Sequence, residues 1–211
     1  MAANPTTNSK PQHRNLVLGI VVILWLTATA ILLWWFQSRS VQPFLPADHN
    51  PATLQVAQLA PELASWLPAA EQRTPVTLIH FWNPDCLCNQ VSSRHFESLV
   101  KQFSSQQLDI LVVAPTNTSD EQIADFKRLN GDRMRIMRMP PDQHWLPASP
   151  SLALLRADGT LGYFGAYGFG ALCSISDEDF FPNMVRQMAA GSYGPFMNMA
   201  GSGCFCRWPT N

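Results

Sequence analysis

The sequence predicts an α/β domain with a mixed central sheet, preceded by one transmembrane helix. Three observations predict it. Leu16 to Phe36 is twenty-one residues without a charge, against the roughly 20 that cross a bilayer as a helix. Further on, apolar runs with strand character at Val76–Trp82 and Leu108–Val113 are each followed by helical spacing, the order of a parallel half-sheet. Last, Ser149–Arg156 and Ala157–Phe164 read as strand, Asp-Gly turn, strand, a strong hairpin signal that supplies the antiparallel half.

In chain order, residues 1–14 form a polar cytoplasmic tail and residues 15–36 the anchor. Thr27-Ala28-Thr29-Ala30 offers the small residues of a cleavable signal peptide. The apolar run nevertheless continues through Ile31-Leu32-Leu33-Trp34-Trp35-Phe36, ending in interfacial aromatics, so an uncleaved span is expected. Lys10, Arg14 and the terminal amine precede the span and only Arg39 follows closely, which puts the N-terminus inside. The body is then expected across the inner membrane as a single-pass protein, in the periplasm of a Gram-negative host, where disulfides are permitted. Residues 37–52, with Pro43, Pro46 and Pro51, read as a semi-extended linker.

Residues 53–190 read as the folded domain. Leu54, Leu59, Leu63 and Leu67, with Trp66, suggest a helix interrupted or kinked at Pro61. The Val76–Trp82 strand leads into a helix carrying Val91, Phe96, Leu99, Val100 and Phe103. After the Leu108–Val113 strand, Thr118 or Ser119 followed by Asp120, Glu121 and Gln122 is a capping signature. That helix stops near Asn130-Gly131, and Met134–Met137 is a further short strand. Ser176–Asp179 caps a last helix that Pro182 pushes later, with Val185, Met188 and Ala189 on its inner face. Residues 191–211 shift to Gly, Ser, Met and aromatics, and this tail is expected to lie beyond the fold. It carries a second Cys-x-Cys, Cys204-Phe205-Cys206.

Chemistry concentrates in His80-Phe81-Trp82-Asn83-Pro84-Asp85-Cys86-Leu87-Cys88-Asn89-Gln90. Cys86 and Cys88 stand at a strand-to-helix junction, where first-turn N–H groups and the dipole favour a thiolate. Asp85 opposes that, and Arg94 and His95 offset Asp85 if they fold back; the residues leave the sign of the net shift open. A Cys86–Cys88 disulfide closes a small ring, which strains it toward reduction. His80, inside the strand, reads as a satisfied core residue.

At this stretch the chain resembles the thioredoxin-like superfamily, whose active site follows a strand ending in Phe-Trp and opens a helix with two cysteines. It departs in spacing, Cys-x-Cys where the family usually has Cys-x-x-Cys. Ser149-Pro150 matches the place where that family carries a cis-proline facing its redox cysteines. The resemblance covers about residues 53–190 and implies a thioredoxin-like three-layer sandwich acting as a thiol–disulfide oxidoreductase. On that reading Cys86 attacks, Cys88 resolves, the backbone before Pro150 holds the substrate chain, and the loop after the hairpin brings Cys173 near Cys86. Cys173 as a buried, inert cysteine is the alternative.

Five cysteines leave at least one without an intramolecular partner. Local pairs Cys86–Cys88 and Cys204–Cys206 are expected, leaving Cys173, although connectivity stays open. The cofactor expectation is a redox-active disulfide with no other cofactor and no metal. Partners are protein thiols or disulfides and, through Leu16 to Phe36, the membrane; oligomeric state is not legible. Formal charge is −1, and without Lys10 and Arg14 the exported part has 12 basic against 15 acidic residues. Such a balance does not suit nucleic acid. Two rival functions stand beside the redox one. A soft-metal (copper) chaperone would use thiolates with Met197 and Met199, and a non-catalytic binding module would use the bridges as staples.

Overall fold

The computed structural model describes residues 10–170 and 179–209. The chain divides after Arg39 into two units. The described part of the first belongs to α1 (Lys10–Ser40), in which Arg14–Trp35 is long and apolar enough to cross a membrane. Its large apolar side chains, among them Leu24, Trp25, Leu32 and Trp34, are exposed. A span and a signal sequence share these properties.

The second unit is built from β1 (Gln42–Pro43), α2 (Val56–Ala64), β2 (Val76–Phe81), α3 (Cys88–Gln102), β3 (Leu108–Ala114), α4 (Asp120–Asn130) and β4 (Arg135–Arg138). After these come β5 (Ala148–Ser149), β6 (Ser151–Arg156), β7 (Leu161–Ala166), α5 (Phe180–Ala189), β8 (Phe196–Asn198), β9 (Ser202–Gly203) and β10 (Cys206–Arg207). The main sheet has the order β4-β3-β2-β6-β7-β8. Its β2, β3 and β4 are mutually parallel, β6 and β7 are antiparallel, and β8 runs parallel to β7. The fold is a thioredoxin-like α/β sandwich with a mixed central sheet.

Alternation along the strands produces the layers, since successive side chains face opposite sides of a sheet. From β2, Ile79 and Phe81 join Leu59 and Leu63 of α2 in one apolar cluster. Val76 and Leu78 join Phe96 and Leu99 of α3, Phe126 of α4 and Phe181 and Val185 of α5 in the other. Every residue of β2 is buried, as a central strand covered on both faces must be.

Local signals act as the sequence suggests. Ser119 caps α4, accepting from the Gln122 N–H at 3.1 Å while the Gln122 side chain accepts from the Ser119 N–H at 2.9 Å. Gly131 ends that helix at φ +84°. Pro61 sits inside α2, and Leu54 closes a separate short turn of 3-10 helix before it. The start of α5 is Phe180, with Pro182 in its first turn; Ser176, Asp177 and Glu178 lie outside the described residues.

The expectation that residues 191–211 lie beyond the fold is corrected. Phe196–Asn198 adds an edge strand to the main sheet, with Gly165 opposite Asn198. Gly165 has φ +145°, and a Cβ there would collide with the Asn198 carbonyl, so the absence of a side chain admits this strand. Further along, β9 pairs with β1 and β10 with β5. Three such short pairings carry no period that a sequence pattern can reveal.

Candidate active site

The site begins where β2 ends. The Trp82 N–H still donates to the Val113 carbonyl at 2.9 Å. Asn83 then turns the chain: its side-chain oxygen accepts from the Asp85 N–H at 3.1 Å and its carbonyl accepts from the Cys86 N–H at 3.0 Å. The Asn89 side-chain amide donates to the same carbonyl. Asn and Asp bend a chain in this way by bonding the backbone two residues on. Cys86 therefore lies in the turn and Cys88 is the first residue of α3.

Both cysteines are buried, Cys86 at 3% and Cys88 at 7% exposure, while Leu87 between them is 82% exposed. What buries them is the C-terminal segment. Cys86 is bonded to Cys206 and Cys88 to Cys204, with Cα–Cα distances of 5.8 and 5.4 Å, inside the usual disulfide range. The expected local pairs Cys86–Cys88 and Cys204–Cys206 are thereby corrected. The physical reason is register. Two short segments running antiparallel set the outer cysteine of one against the outer of the other and inner against inner, without bending either chain as a Cys-x-Cys ring requires.

The segment is held on both sides of the sulfurs. Cys206 stands opposite Ser149 and Arg207 opposite Ala148 in an antiparallel pair, and the Trp208 N–H donates to the Pro147 carbonyl at 3.2 Å. Phe205 is buried edge-on to Phe44 and Phe169, and Trp208 edge-on to Phe81. Arg207 forms an exposed ion pair with Asp48 at 2.9 Å, which holds the Asp48 carboxyl below the usual carboxylate range.

Pro150 is adjacent. The Ser149-Pro150 peptide bond is cis, and the Ser149 carbonyl oxygen is 3.7 Å from the Cys86 Sγ. Of the sequence-named residues the structure thus brings Cys86, Cys88 and Pro150 together; Cys173 lies outside the described residues. The residues that sequence reasoning did not assign to the site are Cys204 and Cys206. Their signal was present, a second Cys-x-Cys matching the first, but spacing does not reveal partners.

His80 is buried against Phe96 and hydrogen-bonded through Nδ1 to the Tyr167 hydroxyl at 2.8 Å. Burial lowers its pKa to about 3, so it is a neutral core imidazole. Arg94 directs its Nε to the His95 ring at 3.4 Å, and exposed Asp85 accepts from the Gln122 side chain at 3.3 Å. A groove of about 530 Å³ beside Pro84 and Asn89 is lined by Trp82, Phe96 and Phe126 but by no cysteine, so it flanks the sulfurs without containing them. The Sγ atoms of Cys86, Cys88 and Cys206 all lie within 4.8 Å of one another. As thiols they form a donor set suited to soft metals; as disulfides they suit exchange. Met197 and Met199 pack against the Phe81 cluster.

Residues 55–208 match a family described as "Domain of unknown function (DUF6436)", a match that takes in both Cys-x-Cys pairs. No curated protein matches the chain. Among solved structures, a hypothetical protein from Sinorhizobium meliloti 1021 is similar with a TM-score of 0.51 at 13% identity, over 67% of this chain and 88% of that one. A secreted disulfide oxidoreductase from Mycobacterium tuberculosis matches with a TM-score of 0.41 at 17% identity, over 56% and 84%. A putative thioredoxin from Neisseria meningitidis matches with a TM-score of 0.44 at 16% identity, over 60% and 82%.

Proposed function

We propose that this chain, which belongs to the DUF6436 family, is a membrane-anchored thiol–disulfide oxidoreductase that acts on protein thiols or disulfides. One observation carries the reading: an extended segment lies antiparallel to Ser149 and is disulfide-bonded to Cys86. A peptide held on an edge strand by its backbone while one of its cysteines is bonded to the site has the form of an exchange intermediate. On this reading Cys86 is the attacking sulfur, Cys88 the resolving one, and Ser149-Pro150 the docking edge. Cys173 keeps the role its sequence position suggests, a further thiol near Cys86. No cofactor beyond the redox-active disulfides is required.

The anchor reading completes the proposal. Leu16 to Phe36 holds the protein in the inner membrane with the N-terminus in the cytoplasm and the folded unit in the periplasm, where the two disulfides are chemically at home. The test is exchange itself. The full chain in detergent micelles is given a fluorogenic disulfide peptide and dithiothreitol. Wild type is expected to accelerate turnover over buffer, and Cys86→Ser to return it to the buffer rate. Equal rates for wild type, Cys86→Ser and buffer would refute the proposal.

A further inference from the structure

The site contains two disulfides, whereas an exchange reaction with one dithiol uses only one. On the oxidoreductase reading, we propose that Cys204 and Cys206 are a second redox pair that exchanges with Cys86 and Cys88, and that an external thiol enters at Cys206. Accessibility points to Cys206. It is partly exposed, while Cys86, Cys88 and Cys204 are 3%, 7% and 9% exposed. A thiolate attacks the sulfur it can reach along the S–S axis.

The steps balance with an external dithiol as the electron donor. One donor thiolate attacks the Cys206 Sγ, forming a donor–Cys206 bond and breaking Cys86–Cys206, so that Cys86 leaves as a thiolate. The donor's second thiolate then attacks its own bonded sulfur, closing the donor's disulfide and releasing Cys206. Two electrons have entered, and the donor's two protons balance the Cys86 and Cys206 thiolates. Cys86 next attacks the Cys88 Sγ, which is within 4.8 Å, forming Cys86–Cys88 and releasing Cys204 as a thiolate. This last step adds no electrons.

The result is a Cys-x-Cys disulfide at the head of α3 and a reduced C-terminal dithiol with no covalent tie to it. Only Phe205, Trp208 and the short pairing with Ala148–Ser149 still hold the segment. The edge strand it occupies becomes available to a substrate chain of the same extended form. The segment is thus an internal stand-in for substrate and an exchange partner at once.

The test uses the full chain in detergent micelles. Oxidised protein is titrated with dithiothreitol, quenched by alkylation and mapped by peptide mass. The expected first product, at two electrons, carries Cys86–Cys88 with Cys204 and Cys206 alkylated. Separately, Cys86→Ser/Cys206→Ser, which keeps the segment tied through Cys88–Cys204, is expected to react with dithiothreitol at least ten-fold more slowly than wild type, because entry must then occur at sulfurs whose residues are only 7% and 9% exposed. A first product with Cys204–Cys206 bonded and Cys86 and Cys88 alkylated overturns the proposal. So does a double variant as fast as wild type, which removes Cys206 as the point of entry while leaving the oxidoreductase reading intact. A reduced chain that holds one equivalent of added zinc through gel filtration and does not reoxidise also overturns it, in favour of a thiolate metal site. Absence of exchange in wild type fails the oxidoreductase reading itself.

Discussion

At the scale of the residue, His80 makes a measurable prediction. Its folded pKa of about 3 lies below the unfolded value near 6.5, so the unfolded chain binds the proton first. The stability it supports is fully present above about pH 6.5 and is lost as pH falls from there toward its folded pKa. At pH 5 the loss is about 2 kcal/mol, from roughly 1.4 kcal/mol for each unit below the unfolded value. Denaturant midpoints of wild type and His80→Gln at pH 7 and pH 5 check this: wild type should drop by about that amount more than the variant. An identical pH slope in both assigns the acid sensitivity elsewhere. Sequence was sufficient to read His80 as core, because its neighbours in β2 are apolar. It was insufficient for Cys204 and Cys206, because a disulfide partner more than a hundred residues away is a tertiary fact.

Elements show the same division. A cap at Thr118 or Ser119 was legible because its chemistry is local; the structure assigns it to Ser119, and Ser119→Ala should lower stability by about 1 kcal/mol, read as a shift in the denaturant midpoint; an unchanged midpoint would mean that the capping box contributes nothing. The hairpin across Asp158-Gly159 was legible for the same reason, with Gly159 at φ +86°. Edge strand β8 was not, since its three residues depend on Gly165. Gly165→Ala combines an unfavourable φ with a collision at Asn198 and should destabilise on the order of 2 kcal/mol. Hydrogen exchange should localise the damage to residues 196–198. Uniform exchange across β6 and β7 instead would show that β8 is not where the strain falls.

For the whole molecule, the two disulfides are nested. Cys86–Cys206 spans 120 residues and Cys88–Cys204 spans 116, so once either is closed the other adds only a small ring. In the chain-entropy account a loop of about 100 residues contributes roughly 4–5 kcal/mol. Removing one bridge as an alanine pair should therefore cost much less than half of what removing both costs, a non-additivity of the kind coupled sites show. Equal, additive losses in the unfolding free energies would contradict nesting. Topology makes the other prediction at this scale: a periplasm-active reporter fused after Asn211 should be active, because Lys10 and Arg14 favour N-terminus inside, and cytoplasmic activity would remove the compartment argument. The α/β architecture was legible from the strand and helix periods together with the Phe-Trp and Cys-x-Cys stretch. The closure of residues 191–208 over that stretch was not, since it depends on pairings two or three residues long.

The most direct test of the account is to trap substrate on the site. Cys88→Ser/Cys173→Ser/Cys206→Ser removes the sulfurs placed by the proposal to resolve an adduct on Cys86 while leaving Cys86 and Cys204 in place. The reduced full chain in detergent micelles is offered a disulfide-bonded peptide, and the adduct is located by non-reducing electrophoresis and peptide mass mapping. The account predicts a stable mixed disulfide on Cys86 that dithiothreitol releases. An adduct confined to Cys204, or no adduct on any cysteine, would contradict it.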